Sequence, residues 1–331
     1  MHNHLSLISG FKTVVLLLAV AVSACAQAPG VPPPWHSRIA ADHPLVGRIW
    51  RASDGAFIGR DQLAAALVAA DLVLLGETHD NPDHHRIQAW AVGRLVAAGK
   101  RPGIALEMIR ADQQDIVDAH FRARPGDVPG LGPVLAWERS GWPEWRHYAQ
   151  VITPVVGSSS SPVVLGANLP GPMIRAVARD GIRALGGGRV RALALDRPIP
   201  ESIHDAVERE IVESHCGHVQ PPRARAFAAI QIARDAVLAD GLLRAADRAG
   251  RSAVLIAGSG HVRRDRGVPL HLARRGKTGA IAVLAPIEVR AGTATPADYA
   301  VAFGASRPPF DFVWFTPRRE RDDPCNSFNK N

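Results

Sequence analysis

The chain has 331 residues, 39 Lys and Arg against 31 Asp and Glu, a formal net charge of +8 and a hydrophobic content of 47%. The basic excess is dispersed, with no run of consecutive basic residues longer than a pair and only nine Phe and two Tyr for stacking on bases, which argues against a nucleic-acid role. Such a surface suits phospholipid head groups or an acidic ligand instead, and the length suits one α/β sheet with insertions.

At the N-terminus, Lys12 precedes the apolar run Val14–Val22, which is too short to span a bilayer comfortably and is flanked like a secretory signal. Val22-Ser23-Ala24-Cys25 is similar to the lipobox of bacterial lipoproteins. Residues 1–24 are therefore expected to be a signal peptide and Cys25 the lipidated mature N-terminus, with an uncleaved anchor or an ordinary signal peptide as alternatives. Removing residues 1–24 takes away one lysine and no acid, so the charge falls from +8 to +7. Residues 25–46, Pro-rich between Ala28 and Pro34, read as an extended tether. The expectation is a domain at 47–317 in the bacterial cell envelope, held at the outer membrane by its lipid and facing the periplasm, with a poorly ordered polar tail at 318–331.

Gly47 to Gly59 reads as a β-hairpin about Ser53-Asp54-Gly55, and Asp61 as the cap of a helix from Gln62 to Ala70. Leu72–Leu75 is apolar without alternation, as in a parallel strand covered on both faces. It stops at Gly76-Glu77-Thr78-His79, and Asn81-Pro82 then opens a helix to Ala98. A strand at Gly103–Leu106 ends on Glu107, and a helix follows over Asp112–Arg122. Trp142 to Val156 reads as a helix whose stripe of Trp145, Tyr148 and Val151 packs inward. Gly157 and four serines form a loop before a strand at Pro162–Gly166, with Asn168 just beyond it. Helices follow at Pro170–Asp180 and, broken near Gly217–Pro222, between 201 and 249; strands follow at Ala253–Ala257 and Ala280–Leu284. This alternation predicts an α/β fold, a mainly parallel central sheet flanked by helices, in a single domain with helical insertions.

Parallel strands share one carboxyl edge, the usual place for a ligand crevice. Four strand ends deliver Glu77 and His79, Glu107, Asn168, and His261 after Gly258-Ser259-Gly260. Carboxylates and neutral imidazoles together suit a divalent metal or a general acid–base pair. No His-Glu-x-x-His occurs, and His261 stands where a nucleophile elbow built on Ser259 would need glycine, which disfavours serine hydrolysis. His84 shares a helix face with Ile87, Ala91 and Leu95, and His85 lies beside Gln88. Tyr148, among tryptophans and next to Arg146 and His147, suits a pocket for a flat apolar ligand with acidic substituents, or equally a place in the core. His215-Cys216-Gly217-His218 lacks a partner cysteine pair for zinc and reads better as a loop lining a pocket. Cys216 and Cys325 could pair in an oxidising compartment, or Cys216 could be a buried thiol; nothing in the sequence decides between them.

Gly76-Glu-Thr-His-Asp-Asn81 with His84, His85 and Gln88, then Leu106-Glu107, Trp142–Tyr148, Gly166-Ala-Asn168, His215-Cys216, Gln231-Ile-Ala-Arg-Asp235, and Gly258-Ser-Gly-His261 before Gly267-Val-Pro269 follow one another in a specific order. Together they resemble the ChaN-like haem-binding uptake lipoproteins over nearly the whole mature domain. The resemblance implies haem as cofactor, binding at a homodimer interface, and a role in iron acquisition. It makes Tyr148 the candidate iron ligand and His79, His84, His85, Asn168, Arg146 and His261 candidate cofactor-binding residues. The family also looks distantly related to the Tiki and TraB proteins and the erythromycin esterases. That relation implies the alternative of a metal-dependent hydrolase or peptidase using Glu77, His79, Glu107 and His261 around a divalent metal.

Overall fold

A computed structural model describes residues 34–327. The expected signal peptide, Cys25 and most of the tether, together with the last four residues of the tail, lie outside the described residues. Strands β1 (Ile49–Arg51) and β2 (Ala56–Ile58) form the anticipated antiparallel hairpin, with Gly55 taking the left-handed conformation in its turn. Helix α1 (Arg60–Ala69) starts at Gly59, whose amide is received by Gln62 Oε1 at 2.9 Å; Asp61, expected as the cap, stands in solvent.

Strand β3 (Leu72–Leu75) leads into α2 (Pro82–Ala97), where the Asn81 side chain accepts the Asp83 amide at 2.9 Å. Strand β4 (Gly103–Arg110) runs four residues past its expected end, so Glu107 lies within the strand rather than beyond it. A short 3₁₀ turn and α3 (Gln114–Ala123) follow, then α4 (Val128–Val134), which no periodicity announced. Helix α5 (Trp145–Gly157) starts three residues later than expected and leaves Trp142 in the preceding turn. Next come β5 (Val164–Asn168), α6 (Gly171–Asp180), the short α7 (Gly187–Ala192), α8 (Glu201–Ser214) and the long α9 (Pro221–Arg248). The chain closes with β6 (Ala253–Ile256), α10 (Val268–Arg274), β7 (Ile281–Glu288) and β8 (Phe312–Thr316), the last a strand that the sequence reading passed over.

These strands make one open mixed sheet in the order β2-β1-β8-β7-β3-β6-β4-β5, parallel from β8 to β5 and antiparallel at β1 and β2. Period-two alternation divides each central strand between two cores. Val73 and Leu75 of β3 pack with Ile87, Ala91 and Leu95 of α2 and Val151 of α5, whereas Leu72 and Leu74 pack with Leu238 and Leu242 of α9 and Leu272 of α10. The α/β expectation is borne out.

Both ends of the described chain converge on the β3–α2 loop. The amides of His36 and Ser37 donate to Asp83, and Arg321 makes ion pairs with both Asp80 and Glu288. Residues 318–327 are therefore held against the domain, and Cys325 forms a disulfide with Cys216 in the α8–α9 turn. That turn, read as a loop lining a pocket, carries a covalent staple.

Candidate functional site

Gly76 lets the end of β3 approach the β6–α10 loop: a Cβ there would stand 2.8 Å from Ser259 Oγ. The next residue, Glu77, is buried, and its carboxylate collects donors. Oε1 accepts from Tyr148 Oη at 3.1 Å and faces His79 Nδ1 at 2.7 Å; Oε2 accepts from Gln88 Nε2 at 2.8 Å and lies 3.3 Å from His85 Nδ1. Burial alone would raise this carboxyl, but the two imidazoles outweigh burial and hold it at about 2. Gln88 also donates to the Leu75 and Gly76 carbonyls, which turns its Oε1 toward His85. His85 Nε2 faces the His79 carbonyl at 2.8 Å, so both of its nitrogens face oxygen acceptors and its pKa is raised against burial by Glu77.

A second carboxylate sits two strands away on β4, with β6 between it and β3. Glu107 accepts the Gly258 amide at 2.8 Å and Arg234 Nη2 at 2.7 Å, and its Oε1 lies 3.3 Å from His261 Nε2. The other nitrogen of His261 meets Asp235 Oδ1 at 2.6 Å. Burial would drive His261 toward neutrality, yet the two flanking carboxylates raise it to about 10 and, with Arg234, hold Glu107 well below the usual range. The result is an imidazolium clamped between carboxylates, ordered by α9 and the β6–α10 loop.

His79 differs from the other imidazoles of the crevice. Its side chain is 38% exposed, its Nδ1 is bound to Glu77, and its Nε2 makes no hydrogen bond among the described residues. The ring lies edge-on to Trp142, centroids 4.8 Å apart, and packs on Gly258, where a Cβ would approach Nε2 to 3.1 Å. Burial opposes its protonation, but Glu77 prevails and raises its pKa. Trp142 is shared by three grooves of about 730, 700 and 450 Å³. The first includes Arg146 and His147, the second Trp137, Trp145, Arg139 and Arg146, and the third Arg110, Arg139, Asn168 and Arg234.

Several expected roles change on this geometry. Tyr148 has no exposed surface and gives its hydroxyl to Glu77; burial, with Glu77 adjacent, pushes its phenol far above the ordinary value, so in this structure it stands in the core with its hydroxyl engaged. His84 is fully buried between the Thr78 amide and Thr316 Oγ1, with burial lowering it to about 4. His85 is likewise enclosed, and His261 has both nitrogens engaged, so none of the three presents a nitrogen to a ligand. Among the described residues no group of three or more His, Cys, Asp or Glu is arranged to hold a metal ion. In this structure the carboxylates of the expected divalent-metal site accept hydrogen bonds from Arg234, Gln88, Tyr148 and the Gly258 amide.

Arg146 pairs with Glu144 at 2.8 Å on the rim, and Asn168 lies inside the third groove. Sequence reasoning missed the functional weight of Asp235, Arg234, Trp142 and His147. All four were quoted within motifs, but nothing local distinguishes Asp235 and Arg234 from other polar residues of a long helix. His147 stacks on His85 at 5.2 Å and is lowered to about 4, by burial first and then by its cationic neighbours.

The fold and site define an α/β protein with a polar crevice at the carboxyl edge of its parallel strands and an aromatic rim around it. A family model described as haem-binding uptake, Tiki superfamily, ChaN matches residues 63–272, more than half of the chain. The chain belongs to that family. A solved structure described as cofacial haem binding to ChaN of Campylobacter jejuni is 21% identical, covers 80% of this chain and 95% of its own, and superposes with a TM-score of 0.61, which shows a shared fold. An erythromycin esterase, EreC, in its open conformation covers 80% of this chain and 95% of its own at 14% identity and a TM-score of 0.42. The type III effector HopBA1 covers 87% and 100% at 15% identity and 0.40. At those scores neither likeness bears on function. No curated protein matches the chain.

Proposed function

We propose that this protein binds haem at the mouth of the crevice, with Nε2 of His79 as the iron ligand, as a lipid-anchored cell-envelope protein serving iron acquisition. The observation that carries the reading is the Glu77–His79 pair. A carboxylate bound to one imidazole nitrogen fixes the ring and makes the other a better metal ligand, and that other nitrogen makes no hydrogen bond among the described residues, on a side chain that is 38% exposed and edge-on to Trp142. The residues fit the group chemically. Trp137, Trp142 and Trp145 offer apolar aromatic faces for a flat macrocycle, and Arg139 and Arg146 offer guanidinium groups for its propionates. Haem, when bound, would supply an iron centre able to take a histidine nitrogen as ligand. The haem would lie at a homodimer interface, with a second copy covering the face where Val134 is exposed beside the tryptophan groove.

Glu77 orients His79 and stabilises its Nδ1 proton, while Gln88 and Tyr148 keep that carboxylate from swinging away. Titration with haemin tests the reading. The wild-type protein is expected to shift the Soret band and saturate; His79→Ala should lose the shift, while Tyr148→Phe and His147→Ala keep it. An unchanged shift in His79→Ala, or a free-haemin spectrum in the wild type, overturns it.

A further inference from the structure

In the third groove three residues keep hydrogen-bond donors without a protein acceptor among the described residues. Asn168 is 5% exposed, and its Oδ1 already accepts from Arg234 Nε at 3.1 Å and from the Leu169 amide at 2.8 Å. Those two N–H groups fix the orientation of the amide, so its Nδ2 is the free end, and it makes no hydrogen bond among the described residues. Arg234 uses Nε on Asn168 and Nη2 on Glu107, which leaves Nη1 uncommitted among the described residues. The side chain of Arg139, on the same groove, makes neither a hydrogen bond nor an ion pair among the described residues. Arg139 is exposed and the Arg234 side chain is 19% exposed, so these donors open into the groove, where a ligand can reach them. Here all the spare groups are donors and two are guanidinium, which selects an acceptor-only anion. The walls of the groove are apolar, formed by Met108, Leu135, Trp137 and Leu169.

We propose that this groove is a carboxylate subsite, in which Asn168 Nδ2, Arg234 Nη1 and Arg139 receive a carboxylate borne by an apolar ligand. It rests on the haem reading to the extent that the ligand is the porphyrin whose iron meets His79, with one propionate entering the groove along Trp142. Glu107 has a structural part in this: by taking Nη2 of Arg234 it sets the guanidinium plane and leaves one edge for the ligand. The same chemistry would admit the carboxylate of a free apolar acid, and the experiment separates the two sources.

The test measures affinity by quenching of tryptophan fluorescence, for haemin, haemin dimethyl ester, iron-free protoporphyrin and a medium-chain fatty acid. The protein is used as wild type, Asn168→Asp and Arg139→Leu. Asn168→Asp keeps the acceptor for Arg234 and Leu169 while replacing the free donor with an anion, and Arg139→Leu alters an exposed side chain without partners. Haemin and protoporphyrin should each weaken about tenfold or more in both variants, the loss of a charge-assisted hydrogen bond, while the dimethyl ester binds the wild type as weakly and ignores the substitutions. Loss confined to the fatty acid would keep the subsite and assign it to a free acid. Equal binding of haemin and its ester, unaffected by either variant, overturns the subsite while leaving His79 ligation intact. Protoporphyrin binding that depends on Asn168, without a Soret shift for haemin, keeps the subsite and rejects the iron ligand. No binding by any of the four probes rejects both.

Discussion

Four donors converge on Glu77, and their competition decides what each residue there can do. The Tyr148 hydroxyl serves the carboxylate, so Tyr148→Phe should cost about 1–2 kcal/mol of stability, measured by urea unfolding, and leave a haemin spectrum unchanged. A loss of the spectrum without loss of stability would contradict that assignment. The helical spacing of Trp145, Tyr148 and Val151 already placed the tyrosine inward, whereas its role as a ligand came from resemblance, and the structure sides with the spacing. His261 and Glu77 are two of the groups that set the pH dependence. His261 is raised from 6.5 to about 10, so its imidazolium stabilises the fold fully below pH 6.5, and that contribution is lost as the pH climbs toward 10. Glu77 is lowered from 4.5 to about 2, so its contribution is present above pH 4.5 and lost as the pH falls toward 2. Urea midpoints should therefore decline on both sides of that interval, and His261→Gln should reduce the alkaline decline, to which His79 and His85 also contribute; an unaltered alkaline limb would contradict the clamped imidazolium.

Helix α9 shows which parts of the site a sequence can reveal. Glu77, His79 and His261 were legible because an uninterrupted apolar run stops at each of them, and Glu107 and Asn168 because the next strands end in the same way. Arg234 and Asp235 sit in mid-helix, where no change of period marks them, and only packing against β4 and β5 brings them to Glu107 and His261. That packing is close: a Cβ on Gly241 would lie 2.6 Å from Ala167 Cβ. Gly241→Val should therefore push α9 off β5, cost about 1–3 kcal/mol in thermal unfolding, and weaken the porphyrin affinity conferred by Arg234. Full retention of both would show that α9 does not set the site. Strand β8 escaped notice because it follows the turn-rich stretch Ser306–Pro309 and pairs across the sheet with β1, far earlier in the chain.

At the scale of the whole molecule, the two ends of the described chain meet at the loop that carries His79, and the Cys216–Cys325 bond spans 109 residues. Nothing local announces such a pairing, and for this reason the sequence left it open. A loop of that size constrains the unfolded chain, so replacing both cysteines with serine should lower stability by about 4 kcal/mol in guanidinium unfolding, and reductant should have no further effect on that variant. Equal stability of the two proteins would mean that the contacts of Arg318, Arg319 and Arg321 hold the tail without the disulfide. The mouth of the crevice, framed by these ends and by Trp142, is where the central claim stands or falls. The most direct measurement is pulsed electron paramagnetic resonance of the haemin-loaded protein labelled with ¹⁵N-histidine. The account predicts a directly coordinated imidazole nitrogen in the wild type that disappears in His79→Ala. A phenolate-ligated iron, lost in Tyr148→Phe and indifferent to His79, would contradict it.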